Sequence, residues 1–189
     1  KKLGLSRGIA HVFDVLLDGS QYGLSSDSWV FMKQYEGTFF DLVEQTNYNT
    51  ASIVMLGMLW DVSGALAHMH ACNICHADIK PENVLYERMP ERVCRYNFVL
   101  CDMDLALVAD SSGFVDGKSL CRGTEAYGAP EIWDNQPSWF VPISTVIPRD
   151  VWSLGVMLAG CVTGCMLWEK AIADDVYYAD AHQRGMHEF

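Results

Sequence analysis

Positive charge is scarce in this chain: 13 Lys and Arg stand against 24 Asp and Glu, a formal net charge of -11. Such a surface repels phosphate backbones and anionic headgroups, so nucleic acid and membrane are not expected as partners. A basic protein or a metal-nucleotide complex is the easier ligand. Long apolar runs are also missing. None reaches the roughly 18 uninterrupted residues of a membrane span, because Asp61, His68 and His70 break the best candidate and Asp150 and Glu169 bracket the next. Internal repeats and low-complexity tracts are absent. The apolar stretch 9–17 is broken by His11 and Asp14, and no small-residue cleavage pattern follows it, which argues against secretion. The seven cysteines are odd in number and lie mostly in apolar runs. No disulfide framework is inferred from them, and buried free thiols of a reducing compartment, cytoplasmic or nuclear, are expected.

What is present suffices for one well-buried core: 189 residues, half of them hydrophobic and 12% aromatic. The stretches 9–17 and 28–35 are short runs rich in Val, Phe and Trp, separated by the turn-like 18–20 and 23–27, and predict an antiparallel strand pair. From Thr50 to Ala71 the apolar residues Ile53, Leu56, Leu59, Leu66 and Met69 recur near helical spacing, which predicts a long helix buried along that stripe. Val84 to Tyr86 and Phe98 to Cys101 are too short for helices and flank a charged, proline-containing loop, as in a hairpin. The Ser, Gly and Asp of 109–122 read as a mobile surface loop. Asp150 to Trp168 reads as a helix buried on most sides.

Three motifs carry chemistry. His76-Ala77-Asp78-Ile79-Lys80-Pro81-Glu82-Asn83 sets a carboxylate, an ammonium and an amide within six positions. Asp102-Met103-Asp104 follows an apolar run, and Gly123-Thr124 precedes Ala129-Pro130-Glu131. This is the side-chain inventory that phosphoryl transfer from a nucleotide requires. Their order and spacing, with Asp150-Val151-Trp152-Ser153-Leu154-Gly155 after them, resemble the catalytic half of a eukaryotic-type protein kinase.

The resemblance implies an α+β, kinase-like fold, with a remnant of the small lobe over 1–35 and an incomplete, mainly helical large lobe over 36–189. It implies ATP and Mg2+ as cofactors and a serine or threonine of a protein as phosphate acceptor. Asp78 would take or orient the hydroxyl proton, Lys80 would neutralise the transferred phosphoryl group, and Asn83 and Asp102 would bind the metal. Lys80 and Thr124 fit the serine/threonine-specific class, in which the threonine hydroxyl bonds the catalytic aspartate and lysine. The backbone of Gln34, Tyr35 and Glu36 would hold the adenine, and Asp150 would brace the catalytic loop.

The chain also departs from the family. It has no G-x-G-x-x-G loop and no strand lysine ahead of the hinge, Lys33 being too close to it. About twenty residues remain after Trp168, so the sequence reads as a piece of a longer protein, weak or inactive alone. Arg184 is an outside candidate for the partner of Glu131. Ala77 stands where many kinases have arginine, which weakens the case for control by loop phosphorylation. Asp104 replaces a glycine, removing backbone freedom and adding charge near Asp102, while Met103 replaces an aromatic. The alternative is a pseudokinase, a binding module without phosphoryl transfer. Cys72-Asn73-Ile74-Cys75-His76 matches a haem-attachment pattern, and with His68 and His70 could be imagined as a zinc site. Packing of these residues in the core is the preferred account of both. The 87–97 loop and the 136–148 excursion are candidate partner surfaces, with ordinary surface loops the simpler account.

Overall fold

A computed structural model describes residues 8–18, 20, 28–45, 52–133 and 139–185. The turn residues at 19 and 23–27, the first two residues of the expected helix 50–71, and 136–138 of the excursion lie outside them. The predicted strand pair is present: β1 (Val12–Leu16) runs antiparallel to β2 (Trp29–Met32), with a register irregularity between Val12 and Asp14. β3 (Gly37–Thr38) leads into α1 (Phe39–Gln45). Thr38 and Asp41 start that helix reciprocally, since the Thr38 N–H donates to Asp41 Oδ2 at 2.8 Å and the Asp41 N–H to Thr38 Oγ1 at 3.1 Å.

α2 (Ser52–Ala71) is the predicted long helix, but its buried stripe differs from the expected one. Met58, Val62, Ala65, Leu66 and Met69 face the core, whereas Ile53 and Leu56 are exposed and Leu59 is partly buried. The helix is apolar nearly all round, so periodicity could not choose the face. Asp61 chose it, by pairing with Arg92 in the hairpin that covers this side. That hairpin is β5 (Val84–Arg88) with β6 (Tyr96–Leu100), joined on its free edge by β3. Asp61 Oδ2 also accepts the Phe98 N–H at 3.0 Å, and Arg92 Nη2 reaches Asp61 Oδ1 at 2.8 Å. A carboxylate that looked like an interruption thus ties helix to sheet.

β4 (Ile74–Cys75) pairs with β7 (Leu107–Val108), and β8 (Phe114–Asp116) with β9 (Phe140–Pro142). The expected surface loop 109–122 is therefore partly strand, and it buries Val115 and Leu120 against Cys75, Leu107, Ile143 and Val146. Its Ser, Gly and Asp form turns; Asp110, for example, accepts the Ser112 and Phe114 N–H groups.

α3 (Pro148–Thr163) is shorter than predicted, stopping at Gly164 with φ 71°. It is also one-sided, with Val151 and Val162 exposed while Leu154, Met157 and Cys161 join α1 and α2 in the main core. α4 (Val176–Arg184) begins at Asp175, whose carboxylate accepts the Tyr177 and Tyr178 N–H groups, both at 3.0 Å. All seven cysteines are free thiols, but Cys72, Cys121 and Cys165 are exposed, contrary to the expected burial. By length and composition alone α2 and the stretch Ile143–Thr163 could each cross a membrane. Both contribute residues to the packed core described above.

Candidate active site

The segment after β4 crosses beneath α3 in a conformation that few side chains tolerate. Ala77 sits at φ 66°, a left-handed backbone costing about 1–2 kcal/mol for a residue with a Cβ. Asp150, only 1% exposed, holds it there. One carboxylate oxygen accepts the Ala77 N–H at 2.9 Å, and the other accepts the His76 N–H at 2.9 Å and bonds His70 Nε2 at 2.8 Å. The bracing expected of Asp150 is what its geometry shows. His76, fully buried, bonds the Cys101 carbonyl through Nε2 at 2.9 Å, and its Nδ1 faces the Asp78 N–H at 3.3 Å.

This turn aims Asp78 at Thr124. Its Oδ1 accepts both the Thr124 hydroxyl at 2.7 Å and the Thr124 N–H at 2.9 Å. Its Oδ2 faces Lys80 Nζ at 2.9 Å and Asn83 Nδ2 at 3.0 Å. Lys80 Nζ also donates to Thr124 Oγ1 at 2.9 Å, closing a ring of three side chains. Burial alone would raise the Asp78 carboxyl, but the hydrogen bonds and charge of Lys80 and the two donors of Thr124 outweigh it. The group is held below the usual carboxylate range. Gly123 makes the approach possible: at φ 113° it lies so close to the loop that a Cβ would stand 2.7 Å from the Ala77 carbonyl oxygen.

Asn83 ends a short 3-10 turn begun by Pro81 and spends both amide hydrogens on Asp78, one on the backbone oxygen at 2.9 Å and one on Oδ2. Its amide oxygen is left as an acceptor. Its backbone oxygen accepts the Cys101 N–H at 3.0 Å, so β6 delivers the next residue, Asp102, beside it. Asp102 is exposed, at φ 62°, and no hydrogen bond or ion pair engages its carboxylate among the described residues. A carboxylate and an amide oxygen are hard donors suited to Mg2+, so these two residues fit the metal the motif implies. Asp104 is likewise exposed, and Met103 packs against the main core.

The segment expected to hold adenine follows β2. Among its residues the Glu36 N–H is already given to the Tyr86 carbonyl at 3.0 Å, and the Glu36 carboxylate accepts the Arg88 N–H at 2.8 Å. The Tyr35 hydroxyl accepts the His11 N–H. Among the described residues no backbone hydrogen bond occupies Gln34 or Tyr35. Lys33 pairs with Glu87, which ties this segment to the hairpin. Arg184 pairs with Asp180 four residues back, and Glu131 is exposed, so the suggested Glu131 partnership is not formed.

Residues 5–188 match the family model described as protein kinase domain. The chain belongs to the eukaryotic-type serine/threonine protein kinase family. Over 176 residues, 91% of its length, this kinase chain is 30% identical to serine/threonine-protein kinase SBK1 of Danio rerio. It is 34% identical over 125 residues, 65% of its length, to serine/threonine-protein kinase chk-2 of Caenorhabditis elegans. Serine/threonine-protein kinase H2 of Homo sapiens is 33% identical over 142 residues, 75% of the chain. The kinase chain spans 40%, 24% and 34% of the lengths of these three relatives. Sequence reasoning missed the His70 contact with Asp150 and the Ser153 hydroxyl that donates to the Tyr127 carbonyl at 2.8 Å. Ser153 lies inside the Asp150–Gly155 motif and His70 near the end of α2, but their sequence positions do not reveal these partners, which only the packing of α2 and α3 around the loops supplies.

Proposed function

We propose that this chain is the catalytic part of a longer protein that transfers the terminal phosphoryl group of ATP to a serine or threonine hydroxyl of a protein. The observation that carries the reading is the ring of Asp78, Lys80 and Thr124, with Asn83 fastened to the same carboxylate. In this reading residues 1–35 are what remains of the small lobe and 36–189 form most of the large lobe. An incoming hydroxyl displaces the Thr124 hydroxyl or shares Asp78 with it, and the carboxylate, kept ionised by its neighbours, orients the hydroxyl and accepts its proton. Lys80, two residues on, offsets negative charge on the group in transit. Asn83 and Asp102 would hold Mg2+, which when bound neutralises phosphate charge. The free backbone groups of Gln34 and Tyr35, with the Glu36 carbonyl, suit the adenine edge. The free thiols favour a cytoplasmic or nuclear setting.

The test is transfer of labelled phosphate to serine- or threonine-containing protein by the full-length protein with ATP and Mg2+. The expected outcome is transfer that Asp78→Ala and Asp102→Ala each reduce by at least about 100-fold, as for other groups acting on the proton or the charge of a transition state. A second reading, a pseudokinase, draws on Asp104, an exposed carboxylate two residues from Asp102 that replaces a glycine. At about 6 Å and an effective dielectric of about 20, two such charges repel by on the order of 3 kcal/mol before a cation intervenes. Full-length protein that neither binds nor turns over magnesium-ATP would establish that second reading and end the first.

A further inference from the structure

The first turn of α3 holds a residue that its position disfavours. Arg149, 4% exposed, is the only Lys or Arg that is buried among the described residues. It stands at the second position of the helix, where the aligned peptide dipoles present their positive end. Burial pushes its guanidinium below the ordinary arginine value, and the charges of Glu131 and Asp150 offset this only in part. An apolar side chain of similar volume would sit there at less cost, so the contact this cation makes is what sets it apart.

That contact is with the loop carrying Thr124. Arg149 Nη2 donates to the Leu120 carbonyl at 3.0 Å, the one hydrogen bond of this side chain among the described residues. The same carbonyl accepts the Arg122 N–H at 2.9 Å, so one oxygen with two donors fixes the turn 120–122. Gly123 follows directly, and then Thr124, which bonds Asp78 through both its hydroxyl and its N–H. The Leu120 side chain is itself buried with Val115, Ile143 and Val146. Apolar burial is non-directional, however, and holds the turn against the core without choosing where its carbonyl points. The guanidinium makes that choice.

The next residue does the same for the other loop, since Asp150 accepts the His76 and Ala77 N–H groups. Consecutive residues of one helix, a buried cation and a buried anion, therefore hold the two segments that meet at Asp78 and Thr124. Ser153, one turn on, donates to the Tyr127 carbonyl at 2.8 Å. Thr124 is thus tied to α3 on both flanks.

We propose that Arg149 is a positioning residue for phosphoryl transfer: from α3 it sets the turn 120–122 and thereby holds Thr124 against Asp78. Its side chain bonds none of Asp78, Lys80, Asn83 and Thr124, and acts through the backbone of Leu120. The proposal rests on the kinase reading above and adds to it a residue that lies outside the three motifs.

The test compares wild type, Arg149→Met and Arg149→Lys as full-length proteins by two readouts. Hydrogen exchange followed by mass spectrometry reads the amides of 117–124, with those of β5 and β6 as an internal reference. Steady-state kinetics with magnesium-ATP and a serine-containing protein read kcat and KM. In Arg149→Met the amides of 117–124 should exchange at least about tenfold faster, the factor that matches loss of one hydrogen bond from a charged donor, while β5 and β6 exchange as in wild type. kcat should fall by about tenfold to 100-fold with KM for ATP little changed, because the acceptor loops are displaced and the nucleotide contacts are not. Arg149→Lys keeps a charged donor on a long stem, which suffices for a single carbonyl, and should recover most of both losses. If Arg149→Met does not fold, Arg149→Gln replaces it in the comparison and is read in the same way. Unchanged exchange of 117–124, or a rise that β5 and β6 share equally, overturns the proposal, and so does a fall in kcat that Arg149→Lys does not relieve. If 117–124 loosens selectively and Lys restores it while none of the proteins transfers phosphate, the Arg149 brace stands and the kinase reading fails.

Discussion

At the scale of single residues, the site turns on how Asp78 is kept charged. Its folded-state pKa is depressed despite burial, through Lys80 and Thr124. The stability linked to that ionisation is fully present above the unfolded value of 3.8 and is lost as pH falls below it, through the lower folded value. Replacement by Asn removes this contribution, so the stability gap between wild type and Asp78→Asn should narrow as pH drops below 3.8. Urea unfolding as a function of pH measures it, and a gap that widens on acidification contradicts the assignment. Gly123 is the other decisive residue. Alanine there meets the Ala77 carbonyl and a backbone at φ 113°, so Gly123→Ala should cost about 1–3 kcal/mol. Because the strain falls between Ala77 and Thr124, kcat should fall further than stability explains, and kinetics at a temperature where both proteins remain folded would separate the two effects.

At the scale of elements, one carboxylate adds a polar tie to the apolar core that α2 shares with β5 and β6. Asp61 bonds Arg92 through two oxygens and caps the Phe98 N–H. Removing it leaves a largely buried N–H and a guanidinium unpaired, so Asp61→Ala should destabilise by about 1–3 kcal/mol. It should leave KM for nucleotide nearly unchanged, since Asp102 leaves β6 at the opposite end from Arg92. Denaturation and nucleotide titration on the same variant check both, and a loss of nucleotide affinity without loss of stability would count against this account. The same contact explains which parts of the fold were legible in the sequence. The strand pair, the long helix and the hairpin followed from local pattern, and the grouping of Asp78, Lys80, Asn83 and Thr124 followed from motifs that resemble those of a protein kinase. The face of α2 did not, because Ile53 and Leu56 are as apolar as Met58 and Val62, and a partner 31 residues away makes the choice. Nor did the strand at Val115, whose pairing with Val141 depends on residues that were read as an excursion.

At the scale of the whole molecule, charge and shape make different demands on the same substrate. In the proposed reading the loops around Asp78 position the acceptor hydroxyl, whereas the net charge of -11 on these 189 residues would act on the rest of a protein substrate from a distance. Attraction of this second kind is long-ranged and raises encounter rates more than it tightens contact, so salt should distinguish it from the first. Raising salt from roughly 0.01 M to 0.15 M shortens the screening length from about 30 Å to about 8 Å. For two peptides alike around the serine and differing only in a distal Lys/Arg or Asp/Glu tract, kcat/KM for the basic one should therefore fall several-fold over that range. For the acidic one it should rise or hold. Steady-state kinetics of the full-length protein across this salt series provide the measurement. Parallel curves for the two peptides would mean that the acidic surface plays no part in substrate encounter, and that selection rests on contacts close to the loops around Asp78.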